Sequence, residues 1–236
     1  MSTTFRKDAD LLAGEQPDTV LLSADNVAFY VHSNRLRAAS TNALCGLLVP
    51  GAERTRPRTS SFGIDLPVLV MPDDSNVLNI VLHAMYGLDA TRYNPPFEAV
   101  SRAVVALTGI YGVPISTIFS PVNAIYNALE SLAVSQPLRV YALAGHYGIE
   151  SLAVTASSYL LSYPLSRISD EDAEYMGGRY LRRLFFLHLG RIDRLKGLLN
   201  RPPDPHPVTQ MCDPEDQKKV NRAWALGTSF LVFNAA

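Results

Sequence analysis

The sequence predicts an α+β fold: a small three-stranded sheet flanked by helices, followed by an all-helical extension. Three observations point there. Val27, Phe29 and Val31 alternate with Ala28, Tyr30 and His32, the period of a half-buried strand. A second apolar run, Thr19-Val20-Leu21-Leu22-Ser23, lies just upstream, with Ala24-Asp25-Asn26 between the two as a bend. From residue 75 onward the period changes to three and four, the spacing of helical faces.

Each element follows from its own residues. After the hairpin, Ser33 or Asn34 is placed to cap a short helix over residues 35–39. Ser40 is placed to cap another over residues 41–48. Leu36, Leu44, Leu47 and Leu48 would then pack on the hairpin. Residues 49–65 hold Pro50, Gly51, Pro57 and Gly63, which break regular structure and predict a surface loop. Arg54, Arg56 and Arg58 in it read as solvated. Residues 66–71 form the third strand, with Pro67 at its start, where a missing amide donor costs least. Asp73 and Asp74 precede a helix over residues 75–86. Val77, Leu78, Val81, Leu82 and Met85 give that helix one apolar face, and Gly87 stops it.

At these residues a family resemblance enters. Asp18-Thr19-Val20-Leu21-Leu22, then Phe29-Tyr30-Val31-His32, then Leu36-Arg37-Ala38-Ala39-Ser40 resembles the opening of a BTB/POZ domain. Val68-Leu69-Val70-Met71 and the helix ending Tyr86-Gly87 are similar to that family's next strand and helix. The likeness spans residues 18–120. Residues 137–162 resemble the helical extension of many fungal BTB-containing proteins. The resemblance implies a protein–protein interaction module, without catalysis, that self-associates or scaffolds. It places the matching Asp18 and His32 near a dimer surface. Ser33 departs from the basic residue that commonly follows that His. Asp18 and His32 therefore read either as part of such a surface or as a turn cap and a core residue. A second implied role is adaptor of a cullin-type ubiquitin ligase. The segment 49–53 lacks the apolar-x-acid triplet of cullin-binding relatives, and no substrate-binding repeat follows.

The later chain is helical. Asn94-Pro95-Pro96 opens a helix with Phe97, Val100, Val104, Leu107 and Ile110 as its buried stripe. Ser120-Pro121 opens the next, to about residue 132, and Pro137 another, ending near Gly148. Residues 106–113 and 142–149 echo each other. Each echo is a helix end, a Gly cap and an apolar residue, as in two stacked helix-turn-helix units. Residues 150–161 form a helix. Ser169 and Asp172 form the ends of a capping box, which explains the acidic cluster at 170–172 without a metal. A long helix over residues 179–199 carries Leu184, Leu187, Leu195 and Leu198. Its arginines read as a solvated face. After a proline-rich hinge, Asp213-Pro214-Glu215-Asp216 starts a last helix bearing Val220, Trp224, Leu226, Phe230 and Leu231. That helix is expected to return to its own core, the alternative being to offer Trp224 and Phe230 to a partner. The domain plan is a loose arm (1–17), a BTB/POZ-like domain (18–120), a helical extension (121–200), and a hinge with a terminal helix (201–236).

Composition narrows the function. The 236 residues are 47% hydrophobic and 18% charged, enough to build a core. A net charge of -1 gives no bulk attraction to nucleic acid or membrane, and no run of about 18 apolar residues predicts a span. Cys45 reads as a small buried apolar group beside Leu44 and Leu47. With only two cysteines and no apolar signal core at the start, the expected setting is intracellular, cytoplasmic or nuclear. No zinc, phosphate-loop or nucleophile-elbow motif is present. No cofactor, metal or catalytic residue is therefore expected, and an enzyme of unknown class is the remaining alternative. The candidate contact residues are Asp18, Phe29, Tyr30, His32, Leu36 and Trp224. The expected partners are proteins: a second copy as a homodimer, or a cullin.

Overall fold

The structure is a computed structural model that describes residues 2–12, 14–48, 66–89 and 93–234. It is α+β, with one three-stranded sheet and helices elsewhere. Strands β1 (Thr19–Leu22) and β2 (Ala28–Val31) pair antiparallel, with Val20 opposite Tyr30 and Leu21 opposite Phe29. Strand β3 (Val68–Val70) joins β1 in parallel, with Leu21 beside Leu69, so the order is β2-β1-β3. The strands are short, and the sheet persists because most of their side chains are buried. Val20, Tyr30 and Val68 form one cluster, joined by Leu22, Ala28 and Leu66.

Helix α1 (Ser33–Ala39) starts two residues earlier than expected. Helix α2 (Ser75–Tyr86) has the predicted bounds: Asp74 accepts the Val77 N–H at 3.0 Å, and Gly87 turns left-handed at φ 69°. Burial exceeds the predicted single face, since Ile80, His83, Ala84 and Tyr86 are also buried. Helix α3 (Phe97–Val105) runs into a π-helical turn, Ala106–Ile110. That wider turn re-aims the stripe: Leu107 is buried but Ile110 is exposed. Helices α4 (Ile115–Ile118), α5 (Ala124–Leu132), α6 (Pro137–Tyr147) and α7 (Glu150–Ser158) complete the first unit. Asn123, not Ser120, caps α5, accepting the Ile125 N–H at 2.9 Å. The echoed glycines, Gly112 and Gly148, both adopt positive φ (63° and 72°).

The compact units are residues 1–159 and 160–236. The division near residue 120 does not appear, because α5 packs on α2 and α3 and Asn123 Nδ2 donates to the Ala84 carbonyl. Likewise α6 ties back to α3, where Arg139 pairs with Glu98 and lies 4.5 Å above the Phe97 ring.

Two local expectations fail. Residues 41–48 do not form a right-handed helix: Ala43, Leu44 and Cys45 have φ between 51° and 58°, followed by Gly46 at 78°. A left-handed residue costs about 1–2 kcal/mol, so this turn needs outside support. It comes from the 110–112 turn. Ser40 Oγ donates to the Tyr111 carbonyl and accepts the Leu44 N–H (2.6 and 2.9 Å). Asn42 Nδ2 donates to the Ile110 carbonyl while its Oδ1 accepts the Cys45 N–H (both 2.9 Å). Cys45 is consequently exposed instead of buried.

Nor is the described part of the N-terminal arm loose. The Ser2 N–H donates to the Ala28 carbonyl and the Tyr30 N–H to the Phe5 carbonyl (3.2 and 3.0 Å), covering the outer edge of β2. Phe5 is wholly buried, with its ring 6.2 Å from Phe29, 5.3 Å from His83 and 5.2 Å from Tyr86.

The second unit is built around two helices. In α8 (Asp170–Leu199), Ser169 accepts the Asp172 N–H at 3.1 Å as the capping box requires, and Gly177 (φ 77°, ψ 153°) interrupts the helix where the sequence has Gly177-Gly178. Of its expected apolar stripe, Leu184 is buried and Leu195 and Leu198 are exposed. Helix α9 (Pro214–Asn234) begins at Asp213, whose carboxylate accepts the Asp216 N–H at 2.8 Å. It does not return to a core: Val220, Leu226, Phe230, Leu231 and Phe233 are exposed. Its tie to α8 is the Trp224 indole N–H, which donates to the Leu199 carbonyl at 2.9 Å.

Candidate functional site

The residues first expected to make contacts are mostly interior. Phe29, Tyr30, His32 and Leu36 are all buried. The arm covers the edge of β2, and Phe5 packs on Phe29 with His83 and Tyr86 of α2 against it, which leaves these four buried and not a free docking surface. Asp18 is exposed, and Trp224 is partly exposed in the second unit.

Asp18 and His32 have structural roles. Asp18 Oδ1 accepts the Ser33 N–H at 2.8 Å and Oδ2 accepts the Ser33 hydroxyl at 2.5 Å. The N-cap residue, His32, makes no side-chain cap bond, so Asp18, just before β1, serves the Ser33 N–H of the first turn. Ser33 thus meets the carboxylate with two hydrogen bonds, one from its backbone and one from its hydroxyl. Burial pushes the Asp18 pKa up, but the Ser33 and Thr19 hydrogen bonds outweigh it and hold the carboxyl below its ordinary value. Beside it, Tyr86 Oη accepts the His32 N–H at 2.7 Å and lies 3.0 Å from His32 Nδ1, while Nε2 faces the Glu15 carbonyl at 3.2 Å. In the neutral ring this places the proton on Nε2 and lets the phenol donate to Nδ1. Burial pushes the Tyr86 pKa up to about 12, with the charges of Asp18 and Glu15 adding to the rise. The phenol is therefore a hydrogen-bonding strut at neutral pH.

A more open site also lies in the first unit. A groove of about 500 Å³ runs between the hairpin bend, the β3–α2 loop and α3. Its apolar lining is Ala24, Pro72, Val105, Ala106 and Ile110, and its polar lining is Asp73, Asp74, Ser101 and Arg102. Its volume falls in the range of sites that hold a small ligand or a partner's side chains. Local chemistry fixes its shape. Asp25 in the bend accepts the Ser75 N–H at 2.8 Å and the Ser75 and Ser23 hydroxyls at 2.6 Å, locking the hairpin to the start of α2. Hydrogen bonds from Ser23 and then Ser75 hold the Asp25 carboxyl below its ordinary value.

Arg102 pairs with Asp74, the residue that also caps α2. Burial pushes the Asp74 pKa up; the Arg102 hydrogen bond and charge and the Val77 N–H bring it below normal. The Tyr111 hydroxyl donates to Asp73, and burial with that carboxylate raises the phenol's pKa. Val105 is 53% exposed and Ile110 37% exposed at the rim. Sequence periodicity did not find this groove. It assigned Ile110 to the buried stripe, and nothing local marks a π turn.

Among the described residues, no three His, Cys, Asp or Glu side chains lie together as a metal ion would need, and no helix is long and apolar enough to cross a membrane. The arginines at 54, 56 and 58 and the segment 49–53 lie outside the described residues. Comparison with protein-family models, with curated proteins and with solved structures found no match.

Proposed function

We propose that the first unit is a protein–protein interaction module that receives a partner in the groove between the hairpin bend and α3. The observation that carries this reading is the groove itself. Its apolar rim, Val105 and Ile110, stays uncovered beside a fixed pair of opposite charges, Arg102 and Asp74. Such a surface takes an apolar anchor flanked by a polar group, the usual make-up of a contact hot spot. The chain order of hairpin, α1, β3 and α2 is compatible with the BTB/POZ resemblance, whose implied interaction role points the same way.

The test joins mass and capture. The intact chain and Val105→Asp are compared by light scattering and by affinity capture from the native host. Self-association or a captured protein that is lost in Val105→Asp, with unfolding unchanged, supports the reading. A monomer whose captured proteins are the same in both forms overturns the groove as the contact site.

A further inference from the structure

The C-terminal unit carries a surface that the groove does not explain. Residues 175–201 hold seven basic side chains against one acidic, Asp193, a net charge of +6 with His188 neutral. The chain as a whole is at -1 and α8 opens with Asp170, Glu171, Asp172 and Glu174, so the positive charge lies along the part of α8 after these acids. Along α8, residues 179, 182, 186, 189, 193 and 196 follow steps of three and four and share one side. In order they are Arg, Arg, Phe, Leu, Asp and Lys. Phe186 on this stripe is 64% exposed and Leu189 52%, with Phe185 beside them at 45%.

Helix α9 adds to the pattern. Lys218 and Lys219 pair with Glu215 and Asp216 (2.8 and 2.9 Å), and after Arg222 comes a stretch, residues 223–234, without a charged side chain. Leu226 and Phe233, one heptad apart, are 76% and 83% exposed. Trp224, Gly227 and Leu231 instead line a groove of about 450 Å³ with Leu199.

We infer that this unit docks on the surface of an anionic lipid bilayer, with the α8 arginines at the headgroups and Phe185, Phe186, Leu226 and Phe233 in the outer acyl layer. Charge and apolar exposure together select that occupant. A second copy meeting this face of α8 would set Arg179, Arg182 and Lys196 against their own copies, with Asp193 alone to offset them. A nucleic acid would use the arginines and stack on Phe185 and Phe186, but it gives nothing to Leu189, Leu198 or Leu226, which are aliphatic and exposed. A bilayer offers negative charge and hydrocarbon within a few ångströms of each other, and long basic side chains bridge the two depths by extending their polar ends. The mode is peripheral. The uncharged stretch of α9 would measure about 18 Å, short of the roughly 30 Å hydrocarbon core, in keeping with the absence of a spanning helix among the described residues. This binding mode departs from the expectation of a solvated arginine face and of no membrane partner.

The full chain is mixed with phosphatidylcholine vesicles, with and without about one third phosphatidylserine, and sedimented. The expected result is co-sedimentation with the anionic vesicles alone, weakened by salt. Trp224, the single tryptophan, should shift its emission to the blue on binding. The pair Arg179→Gln and Arg182→Gln should lower partitioning by about tenfold or more, at roughly fivefold per basic residue near such a surface. Phe185→Ser with Phe186→Ser should reduce it further; all four residues are exposed, so circular dichroism should show an intact fold. Val105→Asp should leave vesicle binding unchanged, which separates this inference from the groove. No binding to anionic vesicles, equal binding to neutral ones, or capture of single-stranded RNA with none of vesicles overturns it.

Discussion

In residues 2–159, Leu21, Leu36, Leu78 and Leu82 are wholly buried, and even the arm spends Phe5 on the interior. In residues 160–234, Phe186, Leu226 and Phe233 stand mostly in solvent. The two units use apolar residues of the same kind at similar helical spacings. What differs is the layers available. The first unit has a sheet, a docked arm and helices α1–α7 to cover one another. The second has two helices in contact and a proline-rich connection. Two helices cover only the facing side of each other, so most of the remaining apolar surface stays outside. The lesson is that a helical apolar stripe states what a helix can bury, while the number of neighbouring layers decides what it does bury.

Point substitutions sharpen this contrast. Leu82→Ala should cost about 2–5 kcal/mol in urea unfolding, because the cavity sits among fixed neighbours, whereas Leu226→Ala should stay within about 0.5 kcal/mol. Equal costs would break the comparison. Phe5→Ala should cost about 3 kcal/mol and open residues 2–12 to limited proteolysis, since the ring is what anchors the arm to Phe29, His83 and Tyr86.

Gly112→Ala should cost about 2 kcal/mol from a left-handed backbone plus a clash, since its Cβ would lie 2.6 Å from the Asn42 side chain. Gly177→Ala meets nothing within 4 Å and should cost only the backbone strain of its φ 77°, ψ 153°, about 1–3 kcal/mol.

The smallest effect concerns α1. Asp18→Ala should cost about 1 kcal/mol, the loss of a helix cap. The Asp18 pKa is lower in the folded chain than its ordinary 3.8. Its contribution is therefore fully present above that value and is lost as pH falls through the lower folded value. Acid titration of stability should show the native chain and Asp18→Asn converging only below pH 3.8. Convergence already near neutral pH would show that the carboxylate does not hold Ser33.

How much was legible follows the distance over which each feature is decided. The hairpin, the cap and stop of α2 and the Ser169–Asp172 box were readable, since all their partners lie within a few residues. The contact surface was not. Phe29, Tyr30 and Leu36 look like a sticky face in sequence, but an arm more than 20 residues upstream and a helix more than 40 downstream cover it. The groove that replaces it depends on a π turn, which carries no signature in periodicity.

By itself, then, the sequence determined the hairpin and the chain order of the main helices, the caps of α2 and α8, and the glycine stops at Gly87, Gly112 and Gly148. These rest on backbone sterics and hydrogen bonds between near neighbours. The tertiary structure alone decided the docking of the arm, the left-handed turn at residues 43–46 and the exposure of α9. Each depends on a group far away in the chain, or on its absence from reach: Ala28 for Ser2, Tyr111 for Ser40, Ile110 for Asn42, and, for α9, a layer that two helices cannot supply.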